Sequence, residues 1–140
     1  MDALYTTEAL ATGAGRDGQV AVAGTDLEFD LAIPREMGGS GNGANPEQLF
    51  AAGYAACFHS ALQMVARQQK IAIEGSSVGG RVSVLRTEEG GFSLAVDLEV
   101  VIPDLEEEVA QGLANAAHQV CPYSNATRGN IPVTVTVVDD

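Results

Sequence analysis

The stretch NPEQLFAAGYAACFHSAL, residues 45–62, predicts the long helix around which the fold is organised. Asn45 is a suitable N-cap because its side chain can accept a hydrogen bond from a free helix N–H, and Pro46 suits the first helical position. Glu47 then lies in the first turn, where the helix dipole favours a negative charge. We expect this helix to run to about Gln68.

Apolar residues recur with the helical period along this stretch, and small residues widen the apolar surface. The expected inner stripe consists of Phe50, Tyr54, Cys57, Ala61, Met64 and Val65, with alanines at 51, 52, 55 and 56 beside it. A helix with this pattern is predicted to be buried on most sides and to lie at the centre of the molecule.

Short strands are expected before the helix. Residues 5–12 and 19–33 contain runs of partial apolar and polar alternation, and the glycine-rich segment 13–18 separates two of them. This pattern predicts an antiparallel meander with Arg16 at a turn. The loop at 38–43 matches neither nucleotide-binding glycine pattern, so we do not expect a nucleotide site there.

The chain after the helix predicts two more strands, a second helix and a last strand. Residues 71–86 and 91–102 form the expected strand pair, 105–120 the helix, and 131–138 a terminal strand rich in β-branched residues. This order predicts an α+β fold in one domain, residues 1–140, with antiparallel sheet covering the helices.

Composition limits the function classes. The 140 residues carry a net charge of −12 with only seven Lys or Arg, so we expect neither nucleic acid nor an anionic membrane as a partner. The apolar stretch is bounded by Glu47 and Arg67 and contains polar residues, so a bilayer span is not expected. The N-terminus lacks the features of a signal peptide, and two cysteines are too few for a disulfide scaffold. These observations predict a cytoplasmic protein.

The two cysteines are Cys57 and Cys121. Cys57 alone is readily explained as a small buried hydrophobic residue of the helix. Cys121 is more informative because it precedes Pro122, which disfavours helix at Cys121 and suits the start of a short helix to about Thr127. A thiolate is favoured at a helix N-terminus, as a reactive cysteine requires.

Arg16 and Glu47 have both a structural and a functional interpretation. Arg16 is explained by solvent exposure at a turn and Glu47 by the helix dipole, but Arg16 could also stabilise a thiolate while Glu47 holds it in place. In one straight helix Glu47 and Cys57 lie about 15 Å apart. Either the helix breaks near Gly53, or Glu47 serves the Cys57 site of a partner subunit, and we favour a dimer.

Metal binding is the competing chemistry, since two cysteines and two histidines could supply ligands. Cys57 and His59 point about 200° apart on a helix and cannot both bind one ion. We therefore expect no metal site, and we expect His59 and His118 to be polar core or surface groups.

Two blocks, residues 45–62 and 118–130, closely resemble the organic hydroperoxide resistance branch of the Ohr/OsmC family, and the GRDG at 15–18 and MGG at 37–39 also match. The resemblance covers essentially the whole chain. It implies an OsmC-like fold, an intertwined homodimer in which antiparallel sheets wrap around central helices.

The resemblance also implies a peroxidase that reduces organic hydroperoxides, with no bound cofactor and with dihydrolipoyl thiols of a lipoylated protein as reductant. By position, Cys57 would be the peroxidatic cysteine and Cys121 the resolving one. Arg16 and Glu47 would be the pair that activates Cys57. It implies a preference for alkyl and fatty-acid hydroperoxides over hydrogen peroxide. That preference agrees with an apolar lining formed by Phe50, Tyr54, Phe58 and Tyr123.

Three alternatives stay open at this point. The protein could be an OsmC-type peroxidase with another substrate preference, since that branch shares the cysteine pair. It could be a thiol-based redox sensor that needs a regulated partner. It could also be a protein without enzymatic activity, whose thiols are unreactive.

Overall fold

The computed structural model describes residues 1–139 and has a mixed α+β architecture, as predicted. The regular elements, in chain order, are β1 Ala9–Thr12, β2 Gln19–Val22, β3 Glu28–Asp30, α1 Pro46–Gln68, β4 Ser77–Arg86, β5 Phe92–Val101, α2 Glu107–Val120, α3 Pro122–Thr127 and β6 Val133–Val137. The chain divides into two compact units, Met1–Leu49 and Phe50–Asp140, with the boundary inside α1. The single domain expected over the whole chain stays a prediction.

The first unit contains the expected antiparallel meander, β1–β2–β3. Its register pairs Ala11 with Val20, and Val20 with Phe29. Between β1 and β2 a 3₁₀ turn, Gly15–Asp17, carries Arg16, which confirms the predicted position of that residue. The only buried side chains of this unit are Ala32 and Asn45, so its sheet has almost no core of its own among the described residues.

The second unit contains the second sheet, in the order β4–β5–β6. Strands β4 and β5 form the predicted antiparallel hairpin, with Ser77 opposite Val101 and Arg86 opposite Phe92. Strand β6, however, pairs with β5 in parallel, so this sheet is mixed and not wholly antiparallel. The reason is that the chain leaves β5 and returns through α2 and α3, a crossover long enough for parallel pairing.

Helix α1 has the predicted bounds, but it is buried on one face and not on most sides. Its buried residues are Tyr54, Phe58, Ala61, Leu62, Val65 and Ala66. Of the expected stripe, Cys57 is only half-buried and Met64 is exposed. Because alanines lie on several sides of the helix, the apolar pattern in the sequence did not show which face is buried most deeply.

Helix α1 is 23 residues long and contains an 18-residue window with a mean hydropathy of 1.3, which is long and apolar enough to cross a bilayer. A core helix of a globular domain meets the same criterion. Here Tyr54, Phe58 and Leu62 have no exposed surface and pack in the core of the second unit. These contacts favour the core helix that the sequence predicted.

Helix α1 is continuous through Gly53, so the break considered there is wrong. Gly53 has a packing role instead, because a Cβ at this position would lie 2.9 Å from the hydroxyl oxygen of Tyr123. A glycine in a helix interior costs about 1 kcal/mol relative to alanine. At this position the missing side chain leaves room for the Tyr123 ring.

Candidate active site

The two thiols are in contact. The Cys121 thiol donates toward the Cys57 sulfur, with an Sγ–Sγ distance of 3.6 Å, and both cysteines are free. Cys57 is half-buried in the middle of α1, whereas Cys121 has no exposed surface. A disulfide is about 2.05 Å long, so a short approach of the sulfurs would join them. This distance suits a pair of cysteines that alternates between thiols and a disulfide.

Cys121 connects two helices, as the sequence predicted. Its backbone is extended, with φ −64° and ψ 124°, because Pro122 follows it. Its N–H donates to the Ala117 carbonyl at the end of α2, and its carbonyl accepts the Asn125 N–H at the start of α3. Its sulfur makes no capping hydrogen bond to α3 in the described part of the chain. Cys121 therefore occupies the N-cap position of α3 through its backbone conformation and not through its side chain.

The N-terminal turn of α3 instead acts on Cys57. Burial is the largest influence on Cys57 and raises the pKa of its thiol; the backbone N–H of Tyr123 opposes this by favouring the thiolate, and the neighbouring Cys121 raises the pKa further. The net direction is upward. Environment within the second unit therefore favours the thiol form, and a reactive Cys57 thiolate requires an additional positive group.

A buried chain of polar side chains, which we call the Ser124 network, joins α1, α2 and α3. Ser124 Oγ lies 2.7 Å from His118 Nδ1 and 2.9 Å from the Tyr54 hydroxyl, which lies 3.0 Å from Thr127 Oγ1. Tyr54, Ser124 and Thr127 are all buried. Burial and the charge of Arg128 lower the pKa of His118, so its imidazole is neutral at pH 7.

Sequence analysis did not identify the Ser124 network. The available signal was the i, i+3 spacing of Ser124 and Thr127 on the short helix, which puts both hydroxyls on one face. That spacing does not reveal the acceptor, because Tyr54 is seventy residues away in the chain. His118 fits its predicted role as a polar group that is partly buried.

Arg16 and Glu47 form a bidentate ion pair in the first unit. Nη1 and Nη2 of Arg16 donate to Oε1 and Oε2 of Glu47 at 2.7 and 3.0 Å. This contact lowers the pKa of Glu47 and raises the pKa of Arg16, in both cases mainly through the hydrogen bond between them. The geometry matches the fork-to-carboxylate arrangement that fixes both side chains, so Glu47 can orient Arg16 as the sequence suggested.

The start of α1 explains why Glu47 is well ordered for this pair. Asn45 Oδ1 accepts the Gln48 N–H at 2.8 Å, and Gln48 Oε1 accepts the Asn45 N–H at 3.1 Å. This reciprocal capping satisfies free donors of the first turn. It confirms Asn45 as the predicted N-cap and fixes the backbone that carries Glu47.

The four aromatic residues predicted to contact substrate do not share one environment. Phe50, Tyr54 and Tyr123 form a cluster with ring centroids 5.5–5.8 Å apart, whereas Phe58 lies beside His118. Tyr54 and Phe58 have no exposed surface, so either would touch a substrate only after a side-chain rearrangement. Phe50 is half-buried and Tyr123 is 37% exposed, and these two keep surface that a ligand can reach.

The histidines make other contacts. His59 Nε2 lies 3.0 Å from Ser76 Oγ and 3.3 Å from Gln63 Nε2, so it is a partly buried polar group. Among residues 1–139, no three His, Cys, Asp or Glu side chains are grouped to hold a metal ion.

Fold and site together define a class of α+β proteins in which the main helix carries one member of a contacting thiol pair. The sequence profile of the OsmC-like proteins matches residues 39–136. The chain is 49% identical over 136 residues to an organic hydroperoxide resistance protein of Xanthomonas axonopodis pv. citri, covering 96% of this chain and 94% of that protein.

Solved structures agree in fold over nearly the whole chain. An organic hydroperoxide resistance protein from Legionella pneumophila is 53% identical with a TM-score of 0.93, covering 97% of this chain and 98% of that one. Another from Elizabethkingia anophelis is 50% identical with a TM-score of 0.94, and each chain is covered completely. The chain therefore belongs to the Ohr/OsmC family, as the blocks around Cys57 and Cys121 predicted.

Proposed function

We propose that this protein is a thiol-dependent peroxidase that reduces organic hydroperoxides to alcohols. The observation that carries the proposal is the contact between Cys57 and Cys121, 3.6 Å apart at sulfur. The names of the relatives described above support the substrate class, organic hydroperoxides. The cysteine pair supplies the two electrons that one peroxide bond requires.

The proposed cycle has three steps. The Cys57 thiolate attacks the distal peroxide oxygen; the O–O bond breaks, the alkoxide takes a proton to become the alcohol, and Cys57 becomes a sulfenic acid. The Cys121 sulfur then attacks Cys57, forming the disulfide and releasing water. Finally a dithiol reduces the disulfide by exchange and is itself oxidised to a cyclic disulfide.

Dihydrolipoyl thiols, carried by a lipoylated protein, are the reductant in this proposal, and the protein itself needs no bound cofactor. Thiol–disulfide exchange requires access to one sulfur. Cys57 is half-buried while Cys121 has no exposed surface, so we expect the external thiol to attack Cys57 and Cys121 to leave. The proposed location is the cytoplasm, where such thiols stay reduced.

Arg16 is the proposed activator of Cys57. Burial raises the pKa of Cys57, so a cation near the sulfur is needed to populate the thiolate at neutral pH. Glu47 holds the guanidinium by two hydrogen bonds, which leaves its remaining donors free to act on the peroxide. Because α1 has no break at Gly53, we propose that this pair serves the thiols of a partner subunit.

The first unit gives independent support for a homodimer. None of the described residues of its three strands is buried, and the unit has one buried apolar side chain, Ala32, just after β3, while Leu4, Tyr5, Leu10 and Leu27 are exposed. A three-stranded sheet needs an apolar face packed against something to be stable, and exposed apolar patches mark interaction surfaces. A second copy of the chain, wrapped by this sheet, would cover them.

The decisive experiment is steady-state oxidation of dihydrolipoamide with cumene hydroperoxide or hydrogen peroxide as oxidant. We expect faster turnover with the organic hydroperoxide, because the stacked rings of Phe50 and Tyr123 keep apolar surface that an organic substrate can reach. Equal rates would point to an OsmC-type enzyme of different preference. Oxidation of the cysteine pair without any turnover would instead indicate a sensor and overturn the proposal.

A further inference from the structure

We propose that Ser124 is a positioning residue for Cys57: its hydroxyl, held between His118 and Tyr54, fixes the first turn of α3 and with it Cys121, whose sulfur lies 3.6 Å from the Cys57 sulfur. This inference rests on the proposed peroxidase function in one respect, namely that Cys57 is taken to be the reacting cysteine. The geometry on which it stands is independent of any substrate.

Helix α3 is held in place by side-chain contacts more than by its own backbone. The helix has six residues, Pro122–Thr127, and helices this short are unstable by themselves. Its own backbone contributes few bonds, among them Asn125 N–H to the Cys121 carbonyl at 2.9 Å. Its position on α1 and α2 therefore depends on side-chain contacts, and the Ser124 network supplies buried ones.

The Ser124 hydroxyl makes hydrogen bonds to two other helices. A hydroxyl has one donor and two acceptor sites, and Ser124 has two partners, His118 on α2 and Tyr54 on α1. If Tyr54 donates to Ser124, then Ser124 donates to a neutral His118; in the opposite order, His118 donates to Ser124 and Ser124 to Tyr54. In the second order Tyr54 can also donate to Thr127 and Thr127 to the Ser124 carbonyl, so that all these hydrogen bonds form together, whereas in the first order Thr127 must donate to Tyr54 instead. In both orders the Ser124 hydroxyl connects three helices at one atom.

Ser124 is linked to the reacting Cys57 sulfur through its neighbours Cys121 and Tyr123. Ser124 lies three residues after Cys121, whose sulfur is 3.6 Å from the Cys57 sulfur. It also directly follows Tyr123, whose backbone N–H lowers the pKa of Cys57 against the larger effect of burial. A rotation of this first turn would move the Tyr123 donor and the Cys121 sulfur together. Hydrogen bonds to charged groups contribute more than neutral ones and weaken steeply with misalignment, so a small rotation is enough to change the reactivity of Cys57.

Thr127 provides a contrast within the same network. It also bonds to Tyr54, at 3.0 Å, and it donates to the Ser124 carbonyl at 3.3 Å. It is the last residue of α3, whereas Cys121 directly precedes the first turn. Loss of its hydroxyl should weaken packing without moving the first turn, and so Thr127→Val is the matched control.

The experiment measures iodoacetamide alkylation of the reduced, full-length protein across pH, with mass spectrometry assigning the label to Cys57. Removing the hydroxyl in Ser124→Ala should shift the alkylation profile to higher pH and slow alkylation at pH 7 by about threefold or more, the effect of a partly lost charge-assisted hydrogen bond. Thr127→Val should lower the melting temperature but leave the profile unchanged.

A second variant covers the case in which Ser124→Ala does not fold. Tyr54→Phe keeps the ring and removes one of the two partners of Ser124, so it should shift the profile in the same direction by a smaller factor. An unchanged profile in every folded variant at Ser124 and Tyr54, or an equal shift in Thr127→Val, would overturn the inference.

The readout also separates this inference from the proposed function. Alkylation needs no peroxide and no lipoyl reductant. If wild-type protein reduces no hydroperoxide but Ser124→Ala shifts the profile, the proposed function fails and the positioning role stands. If turnover is normal and the profile does not move, the positioning role fails alone.

Discussion

The two compact units of this chain are stabilised by different forces. In Phe50–Asp140 a hydrophobic core extends from Tyr54 to Cys121 and surrounds the thiol pair. In Met1–Leu49 the buried side chains among the described residues are Ala32 and Asn45, and the Arg16–Glu47 ion pair joins side chains 31 positions apart. Packing therefore positions the sulfurs, whereas charge and hydrogen bonding position the guanidinium.

This difference also explains the direction of each pKa shift. In the second unit, burial raises the pKa of Cys57. In the first, the hydrogen bond with Arg16 lowers the pKa of Glu47 and keeps both members charged. The unit that holds the sulfurs thus disfavours the thiolate, and the first unit carries Arg16, the cation that we propose as the activator of a Cys57 site in the partner subunit. Substitutions in the two units should therefore have separable effects.

The largest expected effect is at Cys57. In the proposed cycle this sulfur takes the oxygen, so Cys57→Ser should lower peroxide reduction by at least about a thousandfold, as loss of a catalytic nucleophile does. The measurement is hydroperoxide consumption in the presence of dihydrolipoamide. Retained activity in a folded Cys57→Ser protein would show that the thiol pair is not the reacting centre.

The next effect distinguishes the two sulfurs of the same unit. Cys121→Ser removes the group that resolves the sulfenic acid, so the protein should consume about one peroxide per Cys57 and then stall or over-oxidise. Mass spectrometry after one equivalent of hydroperoxide should find oxygen on Cys57 and no disulfide. Sustained turnover with dihydrolipoamide in this variant would contradict a resolving role.

The third prediction tests the contribution of the first unit. Arg16→Ala should shift thiolate formation at Cys57 to higher pH and slow the first oxidation step at pH 7 roughly tenfold or more, since each pKa unit changes the thiolate population tenfold. Arg16→Lys keeps the charge but loses the bidentate geometry, and we expect it to recover part of the rate. Stopped-flow oxidation across pH provides the comparison. Identical profiles for Arg16→Ala and wild type would exclude Arg16 as the activator.

A smaller effect concerns the pH dependence of stability in the first unit. Because the folded-state pKa of Glu47 is lowered, the ion pair stabilises the protein above the ordinary pKa of glutamate, and this contribution is lost as the pH falls through the folded-state value. Both groups are partly exposed, so we expect no more than about 1 kcal/mol. Thermal unfolding of wild type and Glu47→Gln should differ at pH 7 and converge in acid; a constant difference would argue against the pair as its source.

The smallest predicted effect tests packing in the second unit with two adjacent glycines. A Cβ at Gly80 would lie 3.1 Å from the Ala51 carbonyl oxygen of α1, whereas at Gly79 no described atom lies within 4 Å. Gly79→Ala should be neutral or stabilise by up to about 1 kcal/mol by restricting the unfolded chain. Gly80→Ala should be less stable than Gly79→Ala in chemical denaturation, because backbone atoms of the helix would have to move. Equal stabilities would show that β4 and α1 adapt without cost.

The sequence predicted α1 well because its signals are local. Asn45 and Pro46 mark its start through capping chemistry that needs no other part of the chain. The cap at Cys121 was predictable for the same reason, since Pro122 restricts the residue before it. The burial pattern of α1 was less well predicted, because Ala and Met residues tolerate both a buried and an exposed position.

Contacts between distant residues were predicted only where a recognised family pattern supplied them. The pairing of Arg16 with Glu47 and of Cys57 with Cys121 came from matched blocks, not from spacing. The parallel pairing of β6, the packing role of Gly53 and the Ser124 network had no such guide. Each depends on where a side chain or strand is placed by the rest of the fold.

By itself, the sequence determined the family, the order and approximate bounds of the elements, and the identity of the candidate thiols. These could be predicted because helix capping, apolar periodicity and family blocks depend on residues that are close together in the chain. Only the tertiary structure decided that the sulfurs lie 3.6 Å apart and that Cys57 is half-buried while Cys121 has no exposed surface. Distances and burial arise from packing between segments that are remote in the chain. They set the pKa of a thiol and its accessibility, whereas the sequence shows only which residue carries the thiol.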